Sequence, residues 1–482
     1  MKNLTRRSFL KKSAIGMGVV GLSARSWSRV LGANEDIRMA VIGCNLPGGR
    51  GKDHINAWTK MEGVRLTAVC DVDTRVLDAW VSQLSAQGTT IETYQDIRKL
   101  LESKNVDAIS IATPNHWHAL ASVWGMQAGK DVYVEKPVSY DVWEGEQIVK
   151  AAQRYNKIVQ AGTQSRSSTG IKEAVEWVQK GNLGKIKVSR GLCYKPRPSI
   201  GKTEGPQKVP ATVNYDLWCG PAPLTPPRRG KFHYDWHWFW NYGAGDLGNQ
   251  GIHEMDVARW FLGEKTLSPR ILSIGGRLGY EDDAETPNTL ITFHDYAAAP
   301  LIMEVRGLPE KAGAKAMDKY KGAGVGIIIE CEGGYVQVPN YNEAFIFDKD
   351  GQQIQHFKGS VSHFANFITA VRSRNESDLH APIHGGHLST SLCHTANISY
   401  RLGRQASPDA MREQIKGDAE ALLTFQRMGE HLAANNVDLE KTPATLGAVL
   451  KMDPASEKFI DSKKANNLLA REPREPYVIK VA

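Results

Sequence analysis

The chain has 482 residues, an ordinary globular composition (41% hydrophobic, 23% charged) and a formal charge of +8. Seven of the excess positive charges lie before residue 34, where no acid occurs, so the rest of the chain is close to neutral. That balance excludes an electrostatic case for nucleic acid or an anionic membrane, and the length is enough for two or more domains.

The first 33 residues (1–33) read as a twin-arginine signal peptide rather than as fold. Thr5, Arg6, Arg7, Ser8, Phe9, Leu10 and Lys11 carry the motif, and the apolar run over 14–24 is too short to span a bilayer. Cleavage is expected after Ala33, giving a periplasmic protein exported folded, with no stable membrane insertion. Six cysteines are scattered singly. They are expected to be free buried thiols, and no metal site is expected.

Residues 34–162 are expected to form a nucleotide-binding domain. Apolar runs at Ile37–Ile42, 64–69, 107–112, Asp131–Val134 and 158–161 alternate with helical stretches at Thr74–Ser85, 118–128 and 142–155. Short buried strands alternating with helices predict a doubly wound parallel sheet. Gly43, Asn45, Gly48, Gly49, Arg50 and Gly51 make a G-x-N-x-x-G turn, which departs from the dinucleotide fingerprint at its second glycine. Asn45 is expected to tolerate a positive φ there, and the glycines would admit a pyrophosphate to a helix N-terminus. Asp71 ends the second strand. Its carboxylate can accept both hydroxyls of an adenosine ribose and would repel a 2′-phosphate, so NAD is preferred to NADP.

Further along, Thr113 and Asn115 are placed to line the crevice, while His116 and His118 are expected to pack or cap, His118 bordering the cofactor. The strand Asp131–Val134 stops on Glu135, Lys136 and Pro137. In an open parallel sheet that end faces the ligand crevice, where a fixed ammonium can polarise an oxygen undergoing hydride transfer. The same placement brings Gln164 toward the cofactor and Arg166 toward a substrate.

Residues 163–404 are expected to be a substrate and oligomerisation domain, with 405–482 an extension packed on the core. Strands are expected at 288–292, Leu301–Arg306, 327–332, 335–338 and 344–347, without intervening helices, hence an antiparallel sheet. Helices are expected at 362–373 and 388–401. Tyr194, Lys195 and Arg197 lie in a proline-stiffened basic loop that can clamp a hydroxyl-rich substrate. Trp236 and Trp238 belong to the densest aromatic stretch, and such faces stack on sugar rings.

Taken in order, Gly43 to Gly51, Cys70 to Asp73, Ala112 to His116, Glu135-Lys136-Pro137, Gly251 to Trp260 and Asn397 to Arg404 resemble the Gfo/Idh/MocA oxidoreductase family. The twin-arginine motif and the closing Ala465 to Arg471 resemble its exported bacterial branch, which is related to NAD-dependent glycosidases. The resemblance implies an α/β fold: an N-terminal Rossmann domain, then a C-terminal α/β domain on an open, mostly antiparallel sheet. Homo-oligomer contacts (dimer or tetramer) are expected on the sheet's exposed face. It also implies NAD and a carbohydrate substrate, and makes Lys136 the active-site lysine and His253 the active-site histidine.

The family's usual aspartate four residues before that histidine is Asn249 here. Asp246 and Asp256 are the substitutes within reach of His253. Lys136 is expected to hydrogen-bond the reacting oxygen and His253 to act as base, its ordinary pKa lying near working pH. Three activities follow: an NAD-dependent oxidoreductase acting on a secondary hydroxyl or keto group of a sugar or glycoside; a redox-neutral glycosidase or lyase using transient C3 oxidation, elimination and re-reduction; and a non-catalytic NAD- and sugar-binding protein.

Overall fold

Six short strands with mostly buried residues build the first sheet: β1 (Ile37–Ile42), β2 (Val64–Cys70), β3 (Glu92–Tyr94), β4 (Ala108–Ile111), β5 (Asp131–Val134) and β6 (Val159–Ala161). They run parallel in the order β3-β2-β1-β4-β5-β6. The computed structural model describes residues 36–481, so the expected signal segment lies outside the described residues. Between the strands run α1 (Arg50–Lys60), α2 (Thr74–Ser85), α3 (Ile97–Glu102), α4 (Asn115–Gln127) and α5 (Val142–Arg154). Short polar caps start several of them: Asp73 accepts from the Arg75 N–H, Asp96 from Arg98 and Asp141 from Glu144. The strand order reverses between β1 and β4, where open α/β sheets bind ligands.

Two sequence expectations shift here. β3 and α3 were not anticipated, because β3 is three residues long and has no buried side chain. Helix α4 starts at Asn115 rather than 118, with Pro114 at its cap position. Pro114 itself fixes a φ compatible with a helix start.

The second unit opens with α6 (Thr169–Gln179) and β7 (Ile186–Tyr194), then a long irregular segment holding α7 (Tyr215–Cys219), then α8 (Gly245–Asn249) and α9 (Gly251–Leu262). The rest of its sheet is β8 (Arg270–Gly276), β9 (Thr289–His294), β10 (Leu301–Arg306), β11 (Val325–Cys331), β12 (Gly334–Val338), β13 (Glu343–Asp348) and β14 (Gln353–Lys358). Helices α10 (His363–Ser373) and α11 (Ile383–Arg401) follow. The sheet is antiparallel except where β10 runs parallel to β7. One face is sealed by α6, α9 and α11 through Val175, Met255, Phe261 and Leu392, packed on Met303, Val305 and Ile329.

The sheet does not stop near residue 404. It takes in β15 (Arg404–Gln405), β16 (Thr445–Leu446) and β17 (Leu450–Asp453), the last two paired to β8. Between them α12 (Pro408–Ile415) and α13 (Ala419–Ala434) cover the opposite face: Met411, Phe425, Met428 and Leu432 pack on Leu272, Ile274, Ile291 and Ile302. The face expected to be open for oligomer contacts is therefore covered over β8, β9 and β10 by the chain's own helices. Beyond β18 (Lys458–Phe459) and α14 (Lys463–Asn466), the tail returns to the first sheet. Tyr477 and Ile479 join the core formed by Trp117, Leu120 and Leu217. All six cysteines are buried and free.

Candidate active site

At the strand reversal lies a cleft of about 720 Å³, within the size range of cofactor and ligand sites. Its floor is the β1–α1 turn. Gly43 has φ +79°, and a Cβ there would stand 2.7 Å from the Thr113 backbone nitrogen. Gly51 is tighter still, since a Cβ would meet the Gly43 carbonyl at 2.0 Å. Glycine is thus demanded at both ends of the turn. Gly49, extended at φ 179°, caps α1 without any side-chain bond to the first turn. The helix N-terminus therefore presents free N–H groups to an anion. Gly48 borders the cleft in open space. Asn45 does not adopt a positive φ. Its contribution is a hydrogen bond from Nδ2 to the Gly48 carbonyl, 3.0 Å, that closes the loop.

Asp71 stands at the end of β2 and lines the cleft. Its carboxylate accepts from the N–H groups of Cys44 (2.8 Å) and Asp73 (3.1 Å). Burial pushes its pKa up to about 6 despite these bonds. Thr113 and Asn115 line the opposite wall. The Thr113 hydroxyl is buried with no partner in the protein, as a side chain awaiting a ligand would be. His118 also borders the cleft, but both its ring nitrogens face backbone carbonyls, of Pro137 (2.6 Å) and Thr113 (2.7 Å). His116 reaches the Trp218 carbonyl. Packing was the expectation for both, and these are the contacts that hold them.

At the inner end Glu135 is a buried carboxylate bonded by Arg50 (3.0 Å), His54 (3.0 Å) and Gln164 (3.2 Å). Burial opposes its charge, but the His54 bond and the neighbouring Arg50 and Lys136 charges hold its pKa well below the usual range. His54, which no motif signalled, also contacts the Ser110 hydroxyl at 2.7 Å. Gln164 thus belongs to the Glu135 cluster and is not part of the cleft wall. Lys136 is in the wall, and its Nζ donates to the backbone carbonyl of Asn249. Burial lowers its pKa, opposed by Glu135 and aided by Arg50 and Lys195. Because the main chain of Asn249 makes this bond, the amide in place of the family's carboxylate leaves it unaltered.

His253 lies one helix on, buried, with Nδ1 unpartnered and its ring 5.1 Å from that of Tyr341. Burial and then the Lys136 charge lower its pKa to about 3. The expectation of a histidine titrating near working pH is therefore corrected: it is a neutral imidazole set behind the cleft wall. Neither proposed carboxylate serves it. Asp246 is held by both arms of Arg197 (2.7 and 3.0 Å), and Asp256 by Arg166 (2.7 Å) and the Ser389 hydroxyl (2.6 Å).

Those pairings also redirect the basic residues. Arg197 is bound to Asp246 and stacks 5.3 Å from the Trp238 ring, while Arg166 sits over Trp260 in a separate groove. Tyr194 is likewise not a cleft residue. Successive side chains of a strand point to opposite faces, so Cys193 meets Asp246 whereas Tyr194 donates to Glu304 on the far side, 2.7 Å. Lys195 returns to the near side and donates to Gln250, 2.7 Å. Gln250 in turn donates to Glu254, 3.0 Å, whose pKa burial raises to about 8. Of the two tryptophans, Trp236 lines the cleft and Trp238 does not. The segment between β7 and α8 supplies more of the wall than expected: Leu217, Trp218, His233, Tyr234 and His237.

Two family models match this architecture. One, described as an oxidoreductase family with an NAD-binding Rossmann fold, covers residues 37–163; the other, the oxidoreductase family's C-terminal alpha/beta domain, covers 167–429. The chain belongs to the Gfo/Idh/MocA oxidoreductase family. Its cofactor is NAD, and the Gly43 cradle, the α1 N-terminus, Asp71 and the orphaned Thr113 hydroxyl fit such a group.

A glycosyl hydrolase family 109 protein from Shewanella sp. (strain W3-18-1) is 32% identical over 177 residues, 33% of this chain and 39% of that relative. The match thus spans about two fifths of the relative's length. Among solved structures, the WlbA dehydrogenase of Bordetella pertussis, crystallised with NADH and UDP-GlcNAcA, is 18% identical with a TM-score of 0.54, covering 74% of this chain and 94% of that one. Levoglucosan dehydrogenase, in complex with NADH and levoglucosan, is 15% identical with a TM-score of 0.56, covering 74% and 95%. These two establish likeness of fold alone. Among the described residues no helix is long and apolar enough to cross a membrane.

Proposed function

We propose that the protein oxidises a secondary hydroxyl, or reduces a keto group, of a sugar or glycoside. The observation that carries this is Lys136: a cationic side chain fixed by the Asn249 carbonyl at the inner wall of the NAD cleft. Bound NAD would supply the hydride chemistry. Lys136 hydrogen-bonds the reacting oxygen and stabilises the negative charge it develops. The lowered pKa makes this ammonium a stronger hydrogen-bond donor to that oxygen. His253, neutral and behind the cleft wall with its pKa lowered to about 3, is too weak a base to hold the hydroxyl proton, which in the oxidation direction passes to the amine form of Lys136 that burial makes accessible. On the strength of the Arg6-Arg7 motif, the reading includes export to the periplasm.

The partial likeness to glycosyl hydrolase family 109 supports a second reading. Oxidation of a ring carbon would acidify the neighbouring C–H, allow the glycosidic substituent to leave, and be reversed after water adds, with no net redox change.

The test uses the full chain. A denatured sample is analysed by mass spectrometry for released nucleotide, and native protein is incubated with sugars and 4-nitrophenyl glycosides. Reduced cofactor or ketone accumulating marks net oxidation; nitrophenol without net reduction marks the glycosidase. Lys136→Ala is expected to cut turnover by about 100-fold or more while leaving NAD affinity within a few-fold. Unchanged turnover in that variant removes Lys136 from the chemistry.

A further inference from the structure

The cleft wall beside Lys136 holds an imidazole that family likeness does not point to. His237 lies in a single 3-10 turn, Asp235–Trp238, and lines the cleft together with Lys136, Asn249, Tyr234 and Trp236. Its ring is clamped from several sides. Trp236 stacks on it with centroids 3.6 Å apart and planes at 21°, and the Tyr234 ring lies at 4.8 Å. Gly243 packs so closely on the His237 main chain that a Cβ there would stand 2.6 Å from the His237 carbonyl oxygen.

The hydrogen bonding fixes the tautomer. Nδ1 lies 2.5 Å from the Tyr234 carbonyl oxygen, which can only accept, so Nδ1 carries the hydrogen. The ring is half-buried, and the partial loss of water lowers its pKa, with the Lys136 charge in the same direction. The imidazole is therefore neutral at working pH, and Nε2 is left as a bare acceptor. No protein group in the described residues bonds Nε2. Beside the cationic Lys136, which can only donate, the wall thus offers a fixed acceptor. A sugar next to its reacting carbon bears a second hydroxyl that needs one.

We infer that His237 is a specificity-determining residue of the active site, its Nε2 accepting a hydrogen bond from a sugar hydroxyl that neighbours the reacting carbinol. This rests on the sugar reading above. It adds a claim that reading does not contain: one hydroxyl of the substrate is read by His237, with the Trp236 and Tyr234 rings forming the flanking wall.

The experiment compares the full-length, NAD-loaded wild type with His237→Phe, which keeps a flat ring but no acceptor, and His237→Gln, whose amide oxygen can replace Nε2. The probes are the 4-nitrophenyl β-glycosides of glucose, galactose and N-acetylglucosamine, with the 2-deoxy, 4-deoxy and 6-deoxy forms of whichever is turned over. The Phe variant is expected to raise KM about tenfold, the worth of one neutral hydrogen bond, with kcat changed less than threefold. Gln is expected to restore most of that loss, NAD affinity by calorimetry to stay constant, and the wild-type advantage to vanish on one deoxy form alone.

In 15N-labelled wild type, the His237 Nε2 resonance is expected to move on addition of the glycoside, a readout that holds if the Phe variant folds poorly. KM within twofold of wild type, an equal penalty on every deoxy form, weakened NAD binding or an unmoved Nε2 resonance would each overturn the assignment. Wild type inert toward these probes, toward the α-anomers and toward the free sugars would instead sink the sugar reading, and the assignment with it.

Discussion

Asp71 joins a structural task to a ligand task in one carboxylate. It anchors the Cys44 N–H of the glycine turn and faces the cleft, with its pKa pushed up to about 6 by burial. Only the ionised form can accept both ribose hydroxyls, so NAD affinity should fall as pH drops through about 6. At pH ~5 roughly a tenth of the groups remain ionised, and calorimetric titration should find NAD bound up to tenfold more weakly than at pH ~7. A flat profile would remove Asp71 from ribose binding. The stability linkage has the opposite sense: with a folded pKa above the unfolded one, the unliganded protein loses stability as pH rises between about 4 and 6.

Residues at strand ends were legible because a parallel sheet delivers them to one edge; Asp71, Thr113, Glu135 and Lys136 all follow from that alone. Arg166 was placed near the site by the same strand-end argument, Tyr194 and Arg197 by their basic loop, and Asp246 by its distance in sequence from His253. They instead satisfy one another or more distant partners, since pairing is a tertiary property that spacing does not encode. His54 was missed because an inward histidine on an amphipathic helix looks the same whether or not a buried carboxylate waits for it.

Among elements, the β1–α1 turn separates glycines that matter from those that do not. Gly43→Ala meets both a left-handed backbone and the Thr113 main chain, and should cost roughly 2–3 kcal/mol. Gly48→Ala meets nothing within 4 Å and should change stability by no more than about 0.5 kcal/mol. Denaturant melts of the two variants make the comparison, and equal losses would mean the turn is built otherwise. The glycine pattern signalled such a turn but not which members were sterically required, because that depends on a strand some 70 residues away closing against Gly43. The segment between β7 and α8 was the hardest to read. Its aromatic density was plain, yet an irregular chain gives no periodicity to say which rings face inward, and only contact with the nucleotide-binding half decides it.

For the molecule as a whole, the tail past α14 acts as a strap from one half to the other. Arg471 pairs with Glu144 at 2.5 Å, and its backbone N–H bonds Asp141. Burial and the neighbouring Glu144 push Asp141 up to about 8. Removing the guanidinium leaves Glu144 without its cationic partner and Asp141 without the nearby positive charge, so Arg471→Met should destabilise by about 3–5 kcal/mol where they ionise. The sign with pH follows from the raised pKa: the folded state holds a proton that it must surrender as pH climbs through about 8. The deficit of the variant should therefore widen between pH ~6 and ~9, measured by paired thermal melts; a deficit constant with pH would show that Arg471 acts by packing alone. The parallel first sheet and the mostly antiparallel second one were legible from strand and helix periodicity. The covering of the outer face by α12 and α13, and the return of the strap, were not, because neither carries a pattern beyond an ordinary amphipathic helix or loop.

The strap has a consequence for timing. Tyr477 and Ile479 complete a hydrophobic cluster begun by residues made more than 400 positions earlier. While the polypeptide is still emerging from the ribosome, the nucleotide-binding half lacks part of its own interior. It cannot reach its finished shape until synthesis of this chain has passed those two side chains.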